Sequence, residues 1–177
     1  TETVVPTISP SMDIQISSNF ERYLFDLLGR DGAALEAAMT GFRGTGRLTV
    51  TAPQLAEARD RFRTHRVDDD GIRDRIRSTF AETGLVVDPH TAVALAATGA
   101  ATGARASAGR APMVTLACAH PAKFPDAVEA AIGRRPPLPD ALADLMDRKE
   151  RSTVLPNDLA VVSRHVESLA RITGVAA

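Results

Sequence analysis

Two kinds of apolar spacing run along this chain. Runs with a period of three to four predict helices, and short β-branched runs predict strands. Thr3–Ile8 is β-branched and apolar and predicts a strand, with Pro6 placing it at an edge or a bulge. A loop over Ser9–Asp13 follows. Ser17 or Ser18 then caps a helix whose Phe20, Tyr23, Leu24, Leu27 and Leu28 share one face, with Gly29 and Gly32 as its stop. From residue 33 to 84 the pattern breaks into short helices and polar turns. Gly41, Gly44 and Gly46 separate Ala33–Met39 from a strand-like Arg47–Thr51. Pro53 opens a helix carrying Leu55, Ala58 and Phe62, and Asp68–Asp70 starts another over Gly71–Thr83, where carboxylates favour the helix dipole.

Beyond Leu85-Val86-Val87, Asp88 reads as an N-cap and Pro89 as the first residue of a small, apolar helix over Pro89–Ala97. Residues 98–111 are Ala, Gly, Thr, Ser and Arg and predict a surface connection. Pro112–Cys118 predicts the clearest buried strand. A helix over Ala122–Ile132 follows, with Phe124, Val128 and Ile132 on one stripe. Arg134–Pro139 reads as a linker, Asp140–Lys149 as a helix, and Leu159, Val162, Val166 and Leu169 as the face of a last helix. Strands separated by helices predict an α/β fold with a parallel sheet, interrupted by a mostly helical insertion.

Composition narrows the function classes. A net charge of -1 gives no reason to expect nucleic acid or a membrane surface as partner. No apolar run reaches the roughly 20 residues that span a bilayer. One cysteine, Cys118, excludes an intrachain disulfide and suits a cytoplasmic setting. The start, Thr1-Glu2-Thr3-Val4, is neither an initiator Met nor a signal peptide, and suggests a piece of something longer.

Candidate chemistry gathers in a few places. Cys118, His120 and Lys123 stand at the carboxyl end of the predicted strand, where ligands bind in open α/β sheets. The plain alternative is a core cysteine, a turn histidine and a solvated lysine. A Cys-His nucleophilic pair is a weak reading, because such pairs normally come from distant segments. Ser11, Asp13, Ser17, Ser18, Asn19 and Arg22 form a polar loop, a helix start and a cation, which favours an anion or simple capping. His90 reads as a structural histidine before a catalyst. Asp68–Asp70 lacks the ligand spacing of a metal site, and no metal is expected. No phosphate-binding glycine loop and no desolvated lysine appear, so spacing alone leaves the activity open.

The order Ser9-Pro10-Ser11-Met12-Asp13-Ile14, Ser18-Asn19-Phe20-Glu21-Arg22, Asp88-Pro89-His90-Thr91-Ala92-Val93 and Ala119-His120-Pro121-Ala122-Lys123-Phe124 closely resembles the C-terminal part of threonine synthases of the longer, bacterial and fungal type. The resemblance runs from Pro6 to about Leu169. It implies a pyridoxal 5'-phosphate enzyme of the tryptophan-synthase-β-like fold type II: a partial three-layer αβα parallel sheet. On that reading 1–28 and 85–177 belong to the large cofactor-binding domain, and 29–84 is the insertion. It implies conversion of O-phosphohomoserine and water to threonine and phosphate, a carbon–oxygen lyase reaction of threonine biosynthesis.

The family's cofactor-binding lysine and its Asn-Phe-Gly loop are expected upstream of Thr1, so this chain carries no catalytic residue. It would need the N-terminal part of the same protein as its partner and would be inactive alone. At position 118 the family has a threonine facing the pyridine nitrogen; here Cys118 stands there and is the cofactor-binding candidate. Ser11, Asn19, Arg22 and His120 are the substrate-binding candidates. Asp13 is expected to orient its loop, and Lys123 is assigned to structure rather than the site. Two alternatives stay open: a related fold-type-II dehydratase or lyase, and a degenerate module that binds a small ligand or partner.

Overall fold

Helix α1 (Ser18–Leu27) begins where Ser17 leaves extended backbone, and Leu24 is its buried residue. It packs on α2 (Gly32–Thr45), capped by the Asp31 carboxylate, which accepts from the amides of Ala33 and Ala34. The computed structural model describes residues 3–102 and 112–170. Gly41 and Gly44 do not break α2, although each costs a helix interior about 1 kcal/mol relative to Ala. Met39 is buried, and that packing carries the helix through both glycines. The stop comes at Gly46, whose φ of 68° is left-handed. Arg47–Val50, expected as strand-like, has no regular structure. Thr51 then caps α3 (Ala52–Arg61) with a complete capping box to Gln54.

Helix α4 (Asp69–Thr83) starts at Asp68, which accepts from the Gly71 amide. It is the centre of the first unit, packing on both α5 (Pro89–Thr102) and α6 (Pro125–Ile132). Ile72 and Ile76 of α4 are fully buried with Ala92 and Ala131, and Ile8, Val67, Val87, Val93 and Ile132 close around them. The short alanines let the helices approach. Arg77 Nε donates to the Ala131 carbonyl at 3.2 Å, and the Arg134 guanidinium lies 4.5 Å over the Phe80 ring. Helix α5 outruns the predicted end at Ala97, because alanine favours helix. The rest of the connection placed over 98–111 lies outside the described residues.

The expected αβα parallel sheet is not present: among the described residues there is no strand. A strand exists only by pairing, and each predicted one lacks a neighbour. Thr3–Ile8 has no regular structure, with a bend at Ile8, and two of its amides go to side chains: Thr7 N–H to Asp13 and Ile8 N–H to Asp69. Pro112–Cys118 likewise has no regular structure, and it is exposed rather than buried, with Val114 and Leu116 each 73% accessible. The helix expected over Ala122–Ile132 is shortened to α6 by Pro125, preceded by a 3-10 turn at Pro121–Lys123.

The described residues form two compact units, the first ending at Leu138 and the second beginning at Pro139. In the second, the helix expected over Asp140–Lys149 is replaced by 3-10 turns at Asp140–Leu142 and Leu145–Asp147, neither of which buries a residue. Leu142, Leu145 and Met146 stay exposed, and a short helix whose apolar face is not buried has little to hold it. Helix α7 (Leu159–Leu169) is capped by Asp158, which accepts from the Val161 amide.

Candidate functional site

The most deeply buried polar group of the first unit is the Asp88 carboxylate, at 0% exposure. It sits immediately before α5, because the helix needs an acceptor for its free first-turn amides. One oxygen, Oδ1, takes the His90 amide at 2.9 Å and His90 Nδ1 at 3.0 Å. The other, Oδ2, takes the Thr91 hydroxyl. His90 is 4% and Thr91 5% exposed. Burial of a carboxylate is tolerable only when its lone pairs are used, and here they are.

From this point two contacts reach outward in sequence. His90 Nε2 accepts the Ser11 amide at 3.1 Å, across 79 positions. Nε2 is therefore an acceptor, and the imidazole proton is on Nδ1, facing Asp88. The Thr91 hydroxyl accepts the Cys118 amide at 3.4 Å. Phe124 lies with its ring centroid 4.7 Å from that of His90. The loop at Ser9–Asp13, the start of α5 and the segment from Cys118 to Phe124 are thus drawn to one place.

The loop is held from its other side as well. Asp13 accepts the Thr7 amide at 2.7 Å and the Thr7 hydroxyl at 2.9 Å, so it ties the loop together. A cleft of about 570 Å³ runs beside it, with Thr7, Ser9, Asp13, Asp69 and Val93 in its wall. Ser11 itself is exposed.

The other sequence candidates stand differently. Arg22 donates to Asn19 Oδ1 at 3.0 Å, so the two pair with each other on α1. Asn19 lines an apolar cleft of about 630 Å³ beside Tyr23, Leu55 and Phe62. Arg22 lines another, beside Asp26 and Arg30. Among the described hydrogen bonds, none joins Asn19 or Arg22 to the Asp88 network. His120 Nδ1 accepts the Ala122 amide at 3.2 Å and so caps the turn below it. Cys118 is exposed, and among the described hydrogen bonds its thiol donates to the Leu116 carbonyl at 3.7 Å and to no other group. Thiol and imidazole are therefore not hydrogen-bonded to each other. No group of three or more His, Cys, Asp and Glu side chains among the described residues is placed for a metal ion.

In sequence Asp88 reads as a helix cap and His90 as structural; their link between Ser11 and Cys118 is visible only in the fold. The only available signal was the density of hydrogen-bonding side chains in Asp88-Pro89-His90-Thr91 ahead of an apolar helix.

Comparison with known proteins decides the family. Residues 91–166 match the family description "Threonine synthase, C-terminal". The threonine synthase of Pseudomonas aeruginosa is 48% identical over 166 residues, covering 93% of this chain and 34% of the relative. The chain belongs to the threonine synthase family. It spans about a third of the length of the curated relatives it matches. A crystal structure of PLP-bound threonine synthase from Brucella melitensis is 46% identical, with a TM-score of 0.74 over 96% of this chain and 36% of that one. Threonine synthase from yeast is 26% identical, with a TM-score of 0.72 over 94% of this chain and 37% of that one. The threonine synthase match thus takes in α1 to α6 and the Asp88 network.

Proposed function

We propose that this chain is the distal part of a pyridoxal-phosphate-dependent threonine synthase, a carbon–oxygen lyase that turns O-phosphohomoserine and water into threonine and phosphate in the cytoplasm. The observation that carries this reading is the 46% identity, across 96% of the chain, to a threonine synthase with PLP bound. On this reading 1–28 and 85–177 contribute to the cofactor-binding domain and 29–84 is an insertion.

The residues present fit one wall of a cofactor site. Cys118 is exposed and its thiol is only weakly engaged, which leaves Sγ open to a ring nitrogen. When bound, pyridoxal phosphate supplies the electron sink for carbanion chemistry. Cys118 would hold the ring nitrogen with a neutral, poor donor. Ser11 would offer a hydroxyl to an anionic group of the substrate, and His120, Asn19 and Arg22 are its further candidate contacts. Lys123 and Lys149 are both exposed, unlike the desolvated amine a carbonyl cofactor calls for. The reactive lysine and the phosphate loop are therefore assigned to the N-terminal part of the same protein, and the chain alone is inactive.

Its apolar surface supports such a partner. In the first unit Met113, Val114 and Leu116 are exposed, and in the second the α7 face of Leu159, Val166 and Leu169 is exposed. Apolar groups collected in this way mark contact surfaces.

The test is phosphate release from O-phosphohomoserine with pyridoxal phosphate added. The protein including its N-terminal part should turn over, and the 177-residue chain should not. Absence of phosphate release from the longer protein overturns the reading. In that protein Asn19→Ala should raise KM; an unchanged KM removes Asn19 from the substrate contacts.

A further inference from the structure

We propose that Asp88 is a positioning residue that sets the hydrogen-bond polarity of both segments of the site, Ser11 through His90 and Cys118 through Thr91. Its functional meaning rests on the cofactor and substrate reading given above; the device itself is built from this chain's own residues.

A carboxylate only accepts. The neutral imidazole has one ring N–H and the threonine hydroxyl has one proton. Asp88 takes both: His90 Nδ1 meets Oδ1 at 3.0 Å and the Thr91 hydroxyl meets Oδ2. Each residue is then left with only acceptor capacity on its outer side. Those acceptors meet two backbone donors, the amides of Ser11 at 3.1 Å and Cys118 at 3.4 Å. Reversing either proton would set donor against donor in a nearly closed setting, where Asp88, His90 and Thr91 are all buried. One carboxylate therefore dictates which way both outer segments are held, and their relative placement is fixed through it.

Asp88→Asn separates this from general stabilisation. The amide keeps the shape but has one oxygen and one NH2 group. Oδ1 has two donors on the His90 side, the amide and Nδ1, and Oδ2 has one, so the oxygen stays toward His90. The NH2 then faces the Thr91 hydroxyl, which must accept it on one lone pair while its own proton loses the carboxylate that fixed its direction. With the hydroxyl no longer held by an acceptor, its contact to the Cys118 amide loosens while the Ser11 contact stays. Thr91→Val should reproduce the same one-sided loss, and Asp88→Ala should release both segments.

The experiment is amide hydrogen exchange at Ser11 and Cys118, with imidazole 15N shifts for His90, in the intact protein that carries this chain. The wild type should hold His90 in the Nδ1–H form. Asp88→Asn should speed exchange at Cys118 by about fivefold to tenfold, the loss of one net hydrogen bond, and leave Ser11 within about twofold. Equal acceleration at both amides, or a wild-type His90 in the Nε2–H form, overturns the proposal. If the Asp88 variants do not fold, the wild-type tautomer and Thr91→Val still decide it. Failure of the activity reading would appear separately, as absent phosphate release with the one-sided exchange pattern intact. Failure of the present proposal would leave turnover standing while that pattern is missing.

Discussion

Cutting Ile76 back to Ala should remove a large share of the first unit's stability. Ile76 is fully buried on α4, facing Ala92 of α5 and Ala131 of α6. At about 0.8 kcal/mol for each buried carbon, the side-chain carbons lost beyond Cβ amount to roughly 2.4 kcal/mol. A cavity term adds to this at about 24 cal/mol per Å³ of unfilled space. Its alanine neighbours have nothing to extend into the void. The total should come to about 3–4 kcal/mol, a sizeable part of the 5–15 kcal/mol typical of a domain. Tyr23 is the sole tyrosine and there is no tryptophan, so tyrosine emission during urea unfolding reports the first unit. At a slope of about 1–3 kcal/mol per molar urea, the midpoint should fall by about 1–4 M with the slope unchanged. Leu85, 64% exposed, is the control, and Leu85→Ala should cost less than about 0.5 kcal/mol. A loss below about 1 kcal/mol at Ile76 would refute the account of α4 as the centre on which α5, and with it Asp88 and His90, is seated.

Cys118 is exposed and is the only cysteine, so a thiol reagent should label one equivalent per folded chain without denaturant; labelling that waits for unfolding would contradict the exposure. Thr51→Ala removes the capping box of α3 and should cost about 1 kcal/mol locally, seen as faster exchange of the Gln54 amide with no change in the α4 amides. The Arg148 guanidinium hydrogen-bonded to Asp144 holds that carboxyl below the usual aspartate value. The carboxylate is favoured in the folded chain, so its small contribution is present above the unfolded value and lost as pH falls through the folded one. Carboxyl 13C titration should show the low midpoint, and Arg148→Ala should raise it; no movement would remove Arg148 as the cause.

Much of this was available from local sequence because its physics is local. The spacing of Phe20, Tyr23, Leu24 and Leu27 fixed α1, Asp68 and Asp158 began their helices, and Pro89 stood at the first turn of α5, since caps and periodic faces need only near neighbours. The ordered motifs from Ser9 to Phe124 pointed to the threonine synthase family. Strands were a different matter. Thr3–Ile8 and Pro112–Cys118 have strand-like composition, but pairing is a contact between distant segments, and among the described residues neither finds a partner. Helix α2 ran through Gly41 and Gly44 for the converse reason, that packing around Met39 overrode local propensity. The site divides in the same way. Sequence picked out Ser11 and Cys118 separately, whereas only the packing of α5 and α6 on α4 put one buried carboxylate within two hydrogen bonds of both. A one-dimensional pattern records which groups can donate or accept, and the folded chain alone decides which of them meet.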